Sequence, residues 1–309
     1  MRVFVTGPTG YLGGSIAERL VAEGHTVTGL VRSQAKAPLL EARGIDAVFG
    51  TLDDRDILTR AAQAADVVVH AASADHPASV IALVTALERS SKTLIHTTGS
   101  AFVADHADGE YRTDRPLSED DYHEPVPYQR ARVDMNRYVR QAATDKGIRT
   151  IVICPTMVYG TGRGLAPDSD QIPQLIALSR KLGAGAYFGK GLNRYSNVHI
   201  DDLVDLYLLA IDKAPGGALF FAENGNNSFK EIAEMISGHL GFGNLTVSVP
   251  VEQIIAEFGE AGRLGVASNS YVSSVNAHRL GWSPSAPSLA QWLQRLPRPE
   301  RITHSSDTT

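Results

Sequence analysis

The chain has 309 residues, 43% hydrophobic and 20% charged, with 29 Lys and Arg against 34 Asp and Glu for a net charge of −5. That is room for one large α/β domain or a domain with an appended lobe. The mild acidity gives no basis for a nucleic-acid or anionic-membrane partner, no apolar run approaches membrane-spanning length, and a single cysteine, Cys154, excludes an internal disulfide framework and suits the cytoplasm.

Strand and helix alternate from the start. Arg2-Val3-Phe4-Val5-Thr6 reads as a buried strand. The chain enters it with no signal-peptide pattern, so a cytoplasmic location is expected. Leu12, Ile16 and Leu20 then recur at helical spacing, and Gly24 closes that helix. Gly7, Gly10 and Gly13 therefore sit where a strand turns into a helix. Gly7 serves the tight turn, Gly10 lets backbone approach a pyrophosphate, and Gly13 lets the helix pack close. The free N–H groups and dipole at that helix start would face the phosphates. Thr26–Val31, 45–49, 66–71 and 93–97 read as further strands, with helices between them. Asp53 or Asp54 is a candidate cap before Leu58, and Pro77 lies near a helix start. This succession implies a doubly wound parallel sheet.

Residues 105–127 read as a polar loop, Tyr128 to Lys146 as a helix, and Arg149 to Cys154 as a sixth strand in which Cys154 is a structural thiol. Gly160-Thr161-Gly162-Arg163-Gly164 looks mobile. Residues 1–160, completed by 197–225, form a Rossmann core; 161–196 and 226–300 form a smaller C-terminal substrate-binding lobe. Residues 303–309 form a frayed tail. The histidines are scattered, with no metal-ligand spacing.

The glycine triplet, spaced one residue wider on its first side than in ordinary NAD dehydrogenases, resembles that of the extended and atypical short-chain dehydrogenase/reductases, an epimerase/dehydratase-like group. The resemblance implies cofactor contacts from Gly7, Thr9, Gly10, Tyr11 and Leu12. Arg32 and Ser33, with Lys36 one turn on, stand where an NAD enzyme carries a carboxylate, which favours NADP(H) through its 2′-phosphate. Gly50-Thr51-Leu52-Asp53 resembles the adenine loop, with Thr51 in place of the usual Asp and Leu52 over the ring. His70-Ala71-Ala72-Ser73 resembles the segment under the cofactor ribose, with His70 read as a core histidine rather than a catalytic one. Pro155-Thr156-Met157-Val158 resembles the nicotinamide-lining segment, which puts Pro155, Met157 and Val158 beside the cofactor. Asn197-Val198-His199-Ile200-Asp201-Asp202 resembles the V-H-V-D-D motif where the chain returns to the core.

Tyr128-Gln129-Arg130-Ala131-Arg132 resembles the active-site Y-x-x-x-K helix, with arginine for lysine. Four residues apart share a helical face. The resemblance makes Tyr128 the proton donor, Arg132 the cation that tunes it, and Ser100, in Thr97-Thr98-Gly99-Ser100-Ala101, the hydroxyl that polarises the substrate oxygen. Asp75 substitutes for the family's Asn or caps the helix before Pro77. The reading is an NADPH-dependent reductase of a small carbonyl substrate. Two others stand beside it: a nucleotide-sugar epimerase or dehydratase, for which Arg163, Arg180, Lys190 and Arg194 offer a basic pocket, and a non-catalytic NADP(H)-sensing protein. Family members commonly dimerise through the helices after the fourth and fifth strands, for which Val80, Val84, Leu87 and Val139 offer apolar material in a possible homodimer.

Overall fold

The computed structural model describes residues 1–297. Seven strands form the main sheet: β1 (Arg2–Thr6), β2 (Thr26–Val31), β3 (Ile45–Phe49), β4 (Val67–His70), β5 (Thr93–Thr97), β6 (Arg149–Pro155) and, later in the chain, β10 (Ala218–Ala222). Their spatial order is β10-β6-β5-β4-β1-β2-β3, and every pairing is parallel. The order reverses between β1 and β4, and a crevice opens beyond the carboxyl ends of strands at such a switch.

Helices α1 (Tyr11–Ala22), α2 (Ala37–Glu41), α3 (Arg55–Ala64), α4 (Pro77–Ala86) and α5 (Arg130–Asp145) connect these strands. Both sheet faces are covered, so the strands are continuous apolar runs that divide by parity. Val3, Val5, Val67, Val69, Ile151 and Ile153 pack with Ile16 and Leu20 of α1 and with Leu203, Leu206 and Tyr207 of α7 (Ile200–Lys213). Phe4, Val68, Leu94, Val152 and Cys154 face the other way, onto Leu58, Leu83, Met135 and Val139. Val80, Val84, Leu87 and Val139 all lie in that second core at 1% exposure or less. They are interior residues, so copies paired through α4 and α5 would meet on other side chains. Leu87→Ala is expected to cost about 2–5 kcal/mol in denaturant unfolding and to leave the mass in light scattering unchanged.

The second body is built from β7 (Met157–Tyr159), β8 (Gly185–Phe188), β9 (Arg194–His199), β11 (Asn226–Ser228), β12 (Thr246–Val249), α6 (Gln171–Leu182), α8 (Phe229–Leu240), α9 (Val251–Val266) and α11 (Leu289–Arg295). Strands β11, β9 and β7 form one small sheet and β12 and β8 another. Met157, Tyr159, Phe229, Ile232 and Ile236 centre its core. Two boundaries differ from the sequence expectation. The first six strands of the main sheet end at Pro155, and β7 already pairs within the small sheet of the second body. In the other direction, α10 (Val275–Leu280) and Trp282 return to the first core, which Ala277 and Trp282 join. Residues 298–300 of the expected lobe and the expected tail 303–309 lie outside the described residues.

The Gly160–Gly164 segment is pinned rather than loose. The Arg163 amide donates to Ser15 Oγ, its guanidinium pairs with Asp201, and Gly162 N–H donates to the Pro167 carbonyl. A Cβ on Gly164 would come within 2.8 Å of Gly14 Cα. Glycine here lets the loop seat against α1 instead of freeing it.

Candidate active site

The first turn does what its glycines dictate. Gly7 has φ +75, and a Cβ on it would stand 2.9 Å from Ala72 Cα. A Cβ on Gly13 would meet the Gly7 carbonyl oxygen at 2.3 Å, so only glycine lets α1 start this close to β1. Gly10, the N-cap residue of α1, has only that same oxygen near its Cβ position, at 3.4 Å. It lines a cavity of about 590 Å³ at the switch point, and a methyl group there would stand in the space. The first-turn N–H groups of a helix lack intrahelical partners and suit an anion.

Gly7, Thr9, Gly10, Arg32, Ser33, Leu52, Ala71, Ala72 and Ser73 line this one cavity together, and Lys36 joins Arg32 and Ser33 at its basic end. The Thr51–Asp54 loop on its wall is braced internally. Asp54 occupies the N-cap position of α3 but does not cap it; its carboxylate takes the Thr51 N–H at 2.6 Å and the Thr51 hydroxyl at 2.9 Å. Asp53 reaches across to His76 Nε2 at 3.2 Å, and both residues line the cavity. His76, not Asp75, caps α4: its Nδ1 accepts the Ser79 N–H.

Beneath the cavity, hydrogen-bond order fixes a tautomer. Thr6 Oγ1 accepts the N–H groups of Ala71 and Ala72, so its own proton goes to His70 Nδ1, 2.7 Å away. The His70 Nε2–H then donates to Ser79 Oγ, which donates to the His76 carbonyl. His70 is a core histidine that holds the Ala71–Ala72 backbone in place. Burial pushes its pKa down to about 3, and that of neighbouring His96 down to about 4. The unfolded chain takes up these protons near the ordinary value of 6.5. Stability is therefore full above about 6.5 and falls as pH drops toward 4. Denaturant titrations across that window check this, and His96→Phe should flatten the slope.

Five residues expected at the cofactor do not line this cavity, and the side chains of four of them pack elsewhere. The Tyr11 hydroxyl donates to the Gly160 carbonyl at 3.0 Å, and its ring lies against Gly162, so this side chain ties α1 to the pinned loop. Leu12 packs on the first core. Met157 is buried in the lobe core, and Val158 packs into the first core. None of the four lines the cavity, nor does Pro155, which ends β6 as a buried residue. Tyr11 and Leu12 keep only a backbone claim on the site, as the first residues of α1.

Of the expected catalytic residues, Ser100 and Arg132 lie near one another beyond the end of β5, and Tyr128 faces solvent. Ser100 opens a 3-10 turn and is 3% exposed. The lobe covers it. The Ser270 hydroxyl donates to the Ser100 carbonyl at 2.9 Å, and the buried Tyr195 phenol of β9 lies beside the side chains of Ser100 and Ser270. Burial raises the Tyr195 pKa, so that phenol keeps its proton. Arg132, in the first turn of α5, takes Asp75 in a fork. Nε donates to Oδ1 at 2.7 Å and Nη2 donates to Oδ2. Its Nη1 lies 3.8 Å from the Cβ position of Gly99, the residue before Ser100. Arg132 and Ser100 are thus brought together. Tyr128 sits in the 3-10 turn Pro127–Gln129 that leads into α5, with its side chain toward solvent at 55% exposure and its hydroxyl unpartnered among the described residues. Asp75 neutralises much of the Arg132 charge, so the cation expected to tune Tyr128 is a compensated one. Tyr195 and Ser270 had no local signal in the sequence; only the lobe's packing delivers them.

The returning motif proves structural. His199 caps α7 by accepting the Asp201 N–H at 3.1 Å. Buried Asp202 accepts the N–H groups of Ser285 and Ala286 and anchors the C-terminal segment. Cys154 is buried in the sheet, as expected.

Residues 3–220 match the NAD dependent epimerase/dehydratase family. The chain belongs to that family. An uncharacterised protein of Schizosaccharomyces pombe is 32% identical over 94% of this chain and 97% of its own. The 4-hydroxy-2-methyl-3-oxo-4-farnesyl-3,4-dihydroquinoline-1-oxide ketoreductase of Stigmatella aurantiaca is 31% identical over 73% of this chain and 69% of its own. Among solved structures, the dTDP-glucose 4,6-dehydratase of Bacillus anthracis in complex with NAD superposes with a TM-score of 0.76 at 15% identity, covering 95% of this chain and 94% of that one, and shares the fold. Among the described residues no helix is long and apolar enough to cross a membrane, and no cluster of His, Cys, Asp and Glu is arranged to hold a metal.

Proposed function

We propose that this family member is an NADPH-dependent reductase of a small carbonyl substrate. The observation that carries the reading is the switch-point cavity, whose Arg32, Ser33 and Lys36 end opens beside Gly7, Gly10 and the α1 N-terminus. Those residues suit a dinucleotide with a 2′-phosphate. The bound nicotinamide would supply the hydride. Gly7, Thr9 and Gly10 would hold the pyrophosphate, Leu52 would cover the adenine, and Ala71, Ala72 and Ser73 would pass under the ribose. Tyr128 would deliver a proton to the substrate oxygen, and Ser100, held against Tyr195, would polarise it. Arg132 would hold the developing charge near the Ser100 turn. The ketoreductase relative supports carbonyl reduction as the reaction class.

The dehydratase likeness keeps the nucleotide-sugar reading in view, and two of its four basic residues are already ion-paired. Arg163 pairs with Asp201 at 2.7 Å and Lys190 with Glu110 at 2.9 Å, while the Arg194 guanidinium lies over the Tyr271 ring. The test is a panel of aldehydes and ketones with NADPH, followed by nicotinamide absorbance, beside nucleotide sugars assayed for altered sugar. Cofactor consumption that depends on a carbonyl supports the reductase. Sugar conversion with no net consumption supports the epimerase or dehydratase, and binding with neither supports a sensor.

A further inference from the structure

We propose that Asp75 is a positioning residue of the reaction, whose carboxylate aims the Arg132 guanidinium at the turn that carries Ser100; the proposal rests on the reductase reading. Asp75 lies in the loop between β4 and α4, which also supplies Ala71, Ala72, Ser73 and His76 to the cofactor cavity. Its backbone is set from that cavity's wall, because its N–H donates to Ser73 Oγ at 3.2 Å. Its side chain is free of local duty, since His76 caps the helix that follows. It spends both carboxylate oxygens on Arg132.

A guanidinium held this way has a direction. Nε and Nη2 form the edge that faces Asp75, and Nη1 is left without a hydrogen-bond partner among the described residues, beside Gly99. Buried Cys154 and Tyr195, and His96 of β5, are the other titratable groups in its field. None of them offers a second carboxylate. Lysine is a point charge on a flexible stem and would not keep this orientation, whereas arginine spans Asp75 on one edge and presents a donor on the other. The departure from Y-x-x-x-K therefore comes with its own partner, 57 residues away in sequence. The Asp75 side chain is 60% exposed and that of Arg132 16%, so the guanidinium needs a partner when buried, and asparagine at 75 keeps an acceptor for it.

The test uses the full chain, NADPH and the panel aldehyde turned over fastest. Asp75→Asn should lower kcat by about 10- to 100-fold, with KM for the aldehyde and Kd for NADPH held within about twofold, as expected when a group is misaimed rather than lost. The melting temperature should stay near that of the parent, and Asp75→Glu should recover most of the rate. A parental kcat in Asp75→Asn overturns the assignment. So does a joint fall of kcat, NADPH affinity and melting temperature that glutamate does not rescue. Tyr128→Phe separates the two levels. If it turns over like the parent, the reading of the site fails and takes the proposal with it. If it is inactive while Asp75→Asn is unaffected, only the assignment of Asp75 falls.

Discussion

Tyr128→Phe is expected to lower turnover by about two to four orders of magnitude, the size of a general acid–base contribution. The change removes one oxygen. That oxygen has no partner among the described residues and belongs to a residue 55% exposed, so its loss strands no buried donor or acceptor. Stability should move by no more than about 0.5 kcal/mol, and NADPH affinity should not move, because Tyr128 does not line the cofactor cavity. Arg132 variants calibrate the result. Arg132→Met removes the cation and leaves Asp75 unpaired, and should lose nearly as much. Arg132→Lys keeps the charge but not the fork, and should fall between. A parental rate in Tyr128→Phe would remove the proton donor from the account.

Arg32→Asp should weaken NADPH by about 10- to 100-fold, since a hydrogen bond to a charged group contributes about 1.5–3 kcal/mol and the new carboxylate adds repulsion. NADH lacks the 2′-phosphate and should bind nearly as before. Arg32 is exposed and makes no ion pair among the described residues, so the substitution breaks nothing within the protein. Ser33 and Lys36 remain on the same wall and limit the loss. Titration calorimetry with both cofactors decides it. Equal losses would take Arg32 off the 2′-phosphate.

What could be read in the sequence follows physical range. The parallel sheet was legible because a strand covered on both faces must be an unbroken apolar run, as in Val67-Val68-Val69. The tight first turn was legible because three glycines at a strand-to-helix junction satisfy a purely local backbone requirement. Side-chain direction was not local. Tyr11, Met157 and Val158 lie in recognised segments, yet the tertiary contacts that turn Tyr11 onto Gly160, Met157 into the lobe and Val158 into the first core are written elsewhere in the chain. Gly160 to Gly164 read as mobile from composition alone, and Ser15 and Asp201 pin it. In the sequence Asp75 reads as a cap or a substitute. Its pairing with Arg132 needed the fold to bring two distant segments together.

The most direct measurement of the central claim is the fate of the hydride. NADPH carrying deuterium at both hydrogens of nicotinamide C4 is incubated with the parent chain and the best carbonyl substrate, and the product is analysed by mass spectrometry. A single deuterium on the new carbinol carbon, formed in step with oxidised cofactor and about two to four orders of magnitude more slowly in Tyr128→Phe, is the predicted result. A carbinol carbon without deuterium, or a product formed without cofactor oxidation, would contradict it.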